Sequence, residues 1–266
     1  SDEELLSQHG FSSLDEAISA AGLSLLEQGN SHEKVEAALF NTINEERAGL
    51  VKQPNVVLIL NESWSQYLLQ MDKGKELDLI GSLRSHLQED LLFKNIQSVR
   101  NGTIYSLETV TLAMPYMKFF QSRYRFQHLE SSIAYPFKEN GYHTAFVTGM
   151  DPTWENVQEG LAYQGFDAVI GRQDILHEIE GSTTSAIGVY DEFLMEYLHN
   201  YMDKLNKEGS PFFILVLTTT NHPPFTFPDN LQLPELTEGW YKSPCLNGDD
   251  ETLRKYGVGF QYANKA

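Results

Sequence analysis

The chain has 266 residues, of which 41% are hydrophobic, 12% aromatic and 21% charged, a balance that excludes a disordered tail and supports a sizeable buried core. Its 19 Lys and Arg stand against 37 Asp and Glu, a net charge of −18 that repels phosphate backbones and anionic lipid surfaces. Nucleic acid is therefore disfavoured as a partner, and a phosphate-bearing substrate would need a local cation. The single cysteine, Cys245, excludes an intrachain disulfide and a cysteine-based zinc cage.

Residues 1–50 read as a helical lead-in. Ser12-Ser13-Leu14-Asp15-Glu16 has the form of a helix cap before Ala17, Ile18 and Ala21, and residues 33–43 place Val35, Ala38 and Leu39 on one face. Gln53-Pro54-Asn55 breaks that pattern, and residues 51–266 are expected to form the main domain. It opens with Val56–Leu60, a continuous run of β-formers that predicts a strand buried on both faces of a parallel sheet. Further strands are predicted at residues 98–105, 143–147, 168–170 and 212–217, and helices at 74–88, 131–139 and 191–207. The alternation implies an α/β fold with a mainly parallel central sheet flanked by helices. The proline-rich stretch 223–250 reads as a long irregular loop, with Asp249-Asp250-Glu251 as a solvated acidic patch, and residues 262–266 as the opening turns of a helix. No apolar run is long enough to span a bilayer, and Ser1-Asp2-Glu3-Glu4 lacks the features of a signal peptide, so the chain is expected to be a soluble piece cut from something longer at both ends.

Ligands of open α/β sheets collect beyond the carboxyl ends of the strands, so polar residues that follow apolar runs are the first candidates. Asn61-Glu62-Ser63-Trp64-Ser65 follows the first strand: Glu62 is a hard oxygen ligand there, or alternatively sits on the dipole of a helix capped by Ser63. Thr218-Thr219-Thr220-Asn221-His222-Pro223-Pro224 follows residues 212–217 and places His222 where it could meet an anion or make a turn contact. In Asn101-Gly102-Thr103, Gly102 permits close backbone approach and Thr103 offers a hydroxyl. His128, His143, His177 and His199 lack the spacing of a helical metal pair and read as packing or surface residues, while Phe119, Phe120, Tyr124 and Phe126 suit either core or the border of a headgroup entry.

Taken in order, residues 54–65, then Gly102-Thr103 with Ser106-Leu107-Glu108 and Pro115, then 149–156 before Gly165-Phe166-Asp167, then Gly188-Val189-Tyr190-Asp191-Glu192, then Asn221-His222-Pro223-Pro224-Phe225 resemble the lipoteichoic acid synthase branch of the sulfatase and alkaline phosphatase superfamily. The resemblance implies a membrane-anchored transferase of the bacterial inner membrane whose soluble domain faces outward. It further implies one divalent cation, Mn2+ or Mg2+, and transfer of a phosphoglycerol-type headgroup from a phospholipid to a glycan or polyol hydroxyl. By the same resemblance Glu62 is a metal ligand, Thr103 both ligand and nucleophile, and His222, Trp154 and Asp151 contact substrate, with transmembrane helices preceding the domain in the parent protein. Asn156 stands where the family has an arginine at its substrate site, and Thr148 where it has a histidine, which leaves the headgroup open. An Asp-His pair of further ligands would lie beyond the last residue, making the domain C-terminally truncated and this fragment inactive alone. Cys245, in Ser243-Pro244-Cys245-Leu246-Asn247, does not fit the sulfatase formylglycine motif. Phosphoethanolamine transfer, phosphodiester hydrolysis and a catalytically silent binding domain are the competing readings.

Overall fold

A computed structural model describes residues 6–7, 10–20, 53–74, 78–93, 96, 98–114, 118–228 and 249–263. The chain divides into two compact units, Ser1–Gln53 and Pro54–Ala266. In the first, the described helix is α1 (Leu14–Ala20), and its start follows from the serines before it. The Glu16 carboxylate accepts from the Ser12 amide at 2.7 Å, while the Glu16 amide donates to Ser13 Oγ at 3.2 Å, reciprocal bonds that occupy donors left over at a helix start. Residues 33–43 lie outside the described residues.

The second unit is built on four parallel strands, β1 (Val56–Leu60), β2 (His143–Thr148), β3 (Ala168–Ile170) and β4 (Phe212–Leu217), in the order β1-β4-β2-β3. All six residues of β4 are buried, and their alternation assigns them to two layers. Phe213, Leu215 and Leu217 join one core with Ile104, Leu107 and Leu112 of α4 (Thr103–Leu112), Ala134 of α5 (Ala134–Glu139) and Leu161 of α6 (Val157–Tyr163). Phe212, Ile214 and Val216 join the other with Ile175 of α7 (Arg172–Glu178) and Leu194, Tyr197 and Leu198 of α8 (Asp191–Glu208). Each fully buried side chain of this size contributes about 1.5–3 kcal/mol, so β4 is the keel of the domain. A satellite core joins Leu68 of α2 (Gln66–Met71) to Phe260 of α9 (Asp250–Ala263), with Leu79 and Ile80 between them. The remaining described helix, α3 (Leu83–Glu89), buries no residue.

The expected α/β architecture is therefore present, with several local corrections. β1 is a parallel strand but is not covered on both faces: Val57, Leu58 and Ile59 are 37%, 36% and 44% exposed, and among the described residues β1 ends the sheet with β4 as its one neighbour. Residues 98–105 are not a strand. Gly102 turns the chain at φ 123° and helix α4 begins at Thr103, burying Ile104, Leu107, Glu108, Thr111 and Leu112, a helical period that outweighs the β-propensity of Val99, Thr103, Ile104 and Tyr105. The helix expected over 74–88 starts only at Leu83, and the amides of Gly74 and Leu79 donate to the Asp72 carboxylate instead of entering a helix; residues 75–77 lie outside the described residues. The helix expected at 131–139 is confined to Ala134–Glu139. Tyr262 lies near the end of α9 rather than at a helix start, and Asp249 caps that helix by accepting from the Thr252 amide and hydroxyl at 2.9 Å each, so it is not a free acidic loop. Most of the stretch 223–250, residues 229–248, lies outside the described residues.

Candidate active site

Registry sets the site. Leu60 of β1 and Thr148 of β2 both pair with Leu217 of β4, so three neighbouring strands end level and release their following residues at one edge. From β1 come Asn61 and Glu62, from β2 the turn at Gly149, and from β4 the run Thr218–Asn221. Thr218 Oγ1 accepts from the Glu62 amide at 2.9 Å, and the Asn221 side-chain amide donates to the carbonyls of Glu62 and Ser63 at 3.4 and 3.2 Å. Ser63 occupies the left-handed region at φ 52°, a conformation these bonds hold in place. Ser65, not Ser63, caps the next helix, accepting from the Tyr67 amide, which leaves Glu62 outside any helix start.

The Thr103 hydroxyl, at the head of α4, donates to Glu62 Oε2 at 2.8 Å, and the other Glu62 oxygen accepts from the Ser63 hydroxyl at 2.9 Å. Both residues line a cavity of about 490 Å3, together with Leu60 and Leu217 at the strand ends and the exposed Ile96 and Val99. An acid and a hydroxyl drawn from sequence positions 41 residues apart thus meet in one concave site.

The other expected substrate residues are placed differently. His222 does not line this cavity: its Nδ1 lies 2.6 Å from the Pro223 carbonyl oxygen, and its amide donates to the Thr219 carbonyl, one residue beyond the Asn221 anchor. Asp151 also lies outside the cavity lining and is engaged with the Thr153 amide and hydroxyl at 3.0 and 2.7 Å; those bonds, helped by Arg172, hold its carboxyl below the usual range. Trp154 packs against the first core, and the Asn156 side chain donates to the Phe120 carbonyl at 3.2 Å. The two left-handed residues of that turn, Glu155 at φ 54° and Asn156 at φ 59°, are fixed partly by this bond and by Lys118 beside Glu155. Phe119 and Phe120 are core, whereas Tyr124 and Phe126 are exposed.

The motif around Asp191 is a clamp. Its buried carboxylate accepts from the Thr219 amide at 2.9 Å and the Thr220 amide at 3.2 Å, and its own amide donates to Thr220 Oγ1. Burial pushes this carboxyl above its ordinary range, against the pull of the threonine donors. Beside it Val189 donates to the Gly149 carbonyl, an approach so close that a Cβ on Gly188 would lie 2.4 Å from the Gly149 oxygen. Three separated sequence motifs, 149–156, 188–192 and 218–225, are thereby tied together at the edge that carries Glu62.

The sequence reading did not single out Asn61, Arg100, Asn101 or Ser106, all of which line the cavity. Asn61 and Asn101 lie within two residues of Glu62 and Thr103 in the sequence, and Arg100 belongs to no recognisable motif.

The architecture and the meeting of Glu62 with Thr103 define a parallel-sheet α/β protein with an oxygen-rich site at the carboxyl edge of its strands. The chain belongs to the Sulfatase family, whose description matches residues 54–263. It is 30% identical to phosphoglycerol transferase I of Xanthomonas campestris pv. campestris over 89 residues, 33% of this chain and 12% of that protein. Among solved structures it is similar to the lipoteichoic acid synthase LtaP from Listeria monocytogenes, with a TM-score of 0.65 and 21% identity over 80% of this chain and 50% of that one. It is also similar to Streptococcus pyogenes phosphoglycerol transferase GacH, solved with sn-glycerol-1-phosphate, with a TM-score of 0.54 and 12% identity over 80% of this chain and 55% of GacH. The chain thus spans about half the length of these solved relatives and a small part of the curated one. Both structural likenesses establish the shared fold.

Proposed function

We propose that this chain carries the catalytic threonine of a transferase that moves a phosphoglycerol-type headgroup from a membrane phospholipid to a hydroxyl of a glycan or polyol. The observation that carries this reading is the 2.8 Å bond from Thr103 to Glu62 inside the cavity at the strand ends. In the first half-reaction the Thr103 oxygen bonds to phosphorus as the bond from phosphorus to the diacylglycerol oxygen breaks, leaving a phosphothreonine ester. The hydroxyl proton, directed to Glu62 in the resting arrangement, ends on the departing diacylglycerol oxygen. In the second, the acceptor hydroxyl displaces Thr103 and returns a proton to it.

The donor set suits a divalent cation such as Mn2+ or Mg2+: the Glu62 carboxylate and the Thr103 hydroxyl are hard oxygens that would hold it, although such ions take about six ligands and no cluster of three His, Cys, Asp or Glu occurs among the described residues. When bound, such an ion lowers the pKa of a coordinated hydroxyl and neutralises charge on phosphoryl oxygens. His222, Trp154, Asp151 and Asn156 are assigned to the headgroup side of the site, a role supported by the clamp that holds their loops at the same sheet edge. No helix among the described residues is long and apolar enough to cross a membrane. The reading places the domain on the outer side of a bacterial inner membrane, carried there by other segments of the parent protein.

Thr103→Ala in the parent protein is the test. Headgroup release from a glycerophospholipid should fall by several orders of magnitude, with the melting temperature unchanged and partial activity kept by Thr103→Ser. Turnover by the alanine variant at near the parental rate would retire the assignment.

A further inference from the structure

Among the described residues that line the cavity, Arg100 is the one that carries a positive charge. Nineteen basic side chains share this chain with 37 acidic ones, yet Arg100 takes part in none of the ion pairs found among the described residues. Its guanidinium carbon instead lies 4.9 Å from the centroid of the Tyr105 ring. The local backbone makes that stack: Gly102, at φ 123°, turns the chain so tightly that a Cβ there would lie 3.3 Å from Tyr105 Cδ2, and the ring is brought back against the segment that carries Arg100. Lys118 approaches the same ring at 5.8 Å, but its ammonium is committed to Glu155 at 3.5 Å.

A phosphoryl group entering this cavity meets the Glu62 carboxylate and the field of a chain with net charge −18. The asparagines, serines and threonines in the lining supply dipoles only. A guanidinium that lies over an aromatic ring and joins no ion pair can turn its N–H fork to a ligand, and that fork matches two oxygens of a phosphate as an ammonium cannot. We propose that Arg100, held on Tyr105, is the anion-recognition residue of this site and binds the non-bridging oxygens of the phosphoryl group presented to Thr103. The proposal rests on the reading of Thr103 as the group that receives the phosphoryl.

The test is calorimetric titration of the whole chain with sn-glycerol 1-phosphate in excess magnesium, with uncharged glycerol as the reference ligand. Arg100→Ala should weaken glycerol phosphate binding by about 10- to 100-fold, the range for losing a charge-assisted hydrogen-bonded contact, and leave the melting temperature unchanged. Arg100→Lys should fall between, since it keeps the charge and loses the fork. Tyr105→Leu, which removes the platform, should weaken binding less than Arg100→Ala. Parental affinity in Arg100→Ala, or no preference of the parent for glycerol phosphate over glycerol, would overturn the proposal. Turnover assays on Thr103→Ala judge the nucleophile separately, so loss of binding in Arg100→Ala together with normal turnover in Thr103→Ala would retire Thr103 and keep Arg100 as an anion site.

Discussion

Replacing Asp191 by alanine should destabilise the second unit far more than a substitution at the start of an exposed helix would. The side chain is 1% exposed, and its carboxylate is the acceptor for the amides of Thr219 and Thr220, themselves 2% and 3% exposed. Without it two buried N–H groups lose their partner, and each orphaned donor costs about 1–3 kcal/mol. Relief of the buried carboxylate's own desolvation offsets part of this, so the net loss should be about 2–4 kcal/mol out of the ~5–15 kcal/mol that hold a typical domain. Asp191→Asn keeps one oxygen acceptor and should lose roughly half as much. Urea unfolding followed by far-ultraviolet circular dichroism gives the number directly. A loss below about 0.5 kcal/mol in the alanine variant, the scale of an ordinary surface change, would show that the clamp is not what holds the Thr218–Asn221 run. Because that run anchors Glu62 and Ser63, the same variant should also weaken glycerol phosphate binding.

Two further outcomes follow from the packing. Glu108 is fully buried, accepts from the Phe120 amide at 2.8 Å, and has its carboxyl pushed upward by burial, with Glu155 adding to the rise. A carboxyl raised on folding binds protons more tightly in the native state, so the parent should lose stability as pH climbs from the ordinary glutamate range near 4.3 through the raised value. Glu108→Gln should remove that loss, its advantage growing with pH across the window; parallel stability curves for the two proteins would contradict it. Gly188→Ala drives a methyl to 2.4 Å from the Gly149 carbonyl oxygen and should cost about 1–3 kcal/mol in a thermal melt, whereas a neutral effect would mean that the two loops do not touch.

Strands were legible in the sequence where burial leaves one pattern: an unbroken apolar run such as residues 212–217 has no polar face to offer solvent, so it can only be central. The same reading overreached at Val56–Leu60, since an apolar run does not reveal whether a neighbour covers its outer side. The segment at 98–105 misled because its β-branched and aromatic residues are local signals, while the helical register of Leu107 and Leu112 with Ile104 appears only when the window is extended past Thr103. Short helices such as Val157–Tyr163 and Arg172–Glu178 carry too few turns to show a period at all. At the site, Glu62, Thr103 and His222 are expected from the sequence to share one pocket; Glu62 and Thr103 meet there, while His222 lies outside its lining and Thr103 heads a helix rather than following a strand. Arg100 is not marked by the sequence because its placement depends on a contact with Tyr105 that has no sequence signature, although the glycine turn beside it does. Asp191 stands out as part of a motif but not as the acceptor for the amides of Thr219 and Thr220 just past β4, an arrangement set by tertiary contact alone.

The open side of β1 has a practical consequence. Among the described residues, β1 has its backbone bonded along one margin and presents, along the other, a row of amides and carbonyls between the side chains of Val, Val, Leu, Ile and Leu, with no proline or charge within the strand to discourage another. Such a margin is a template for sheet extension, so at high concentration two copies would seek to join there. A lysine at Leu58, which is itself partly exposed and pairs in register with Leu215 of β4, would place a gatekeeping charge in that strand.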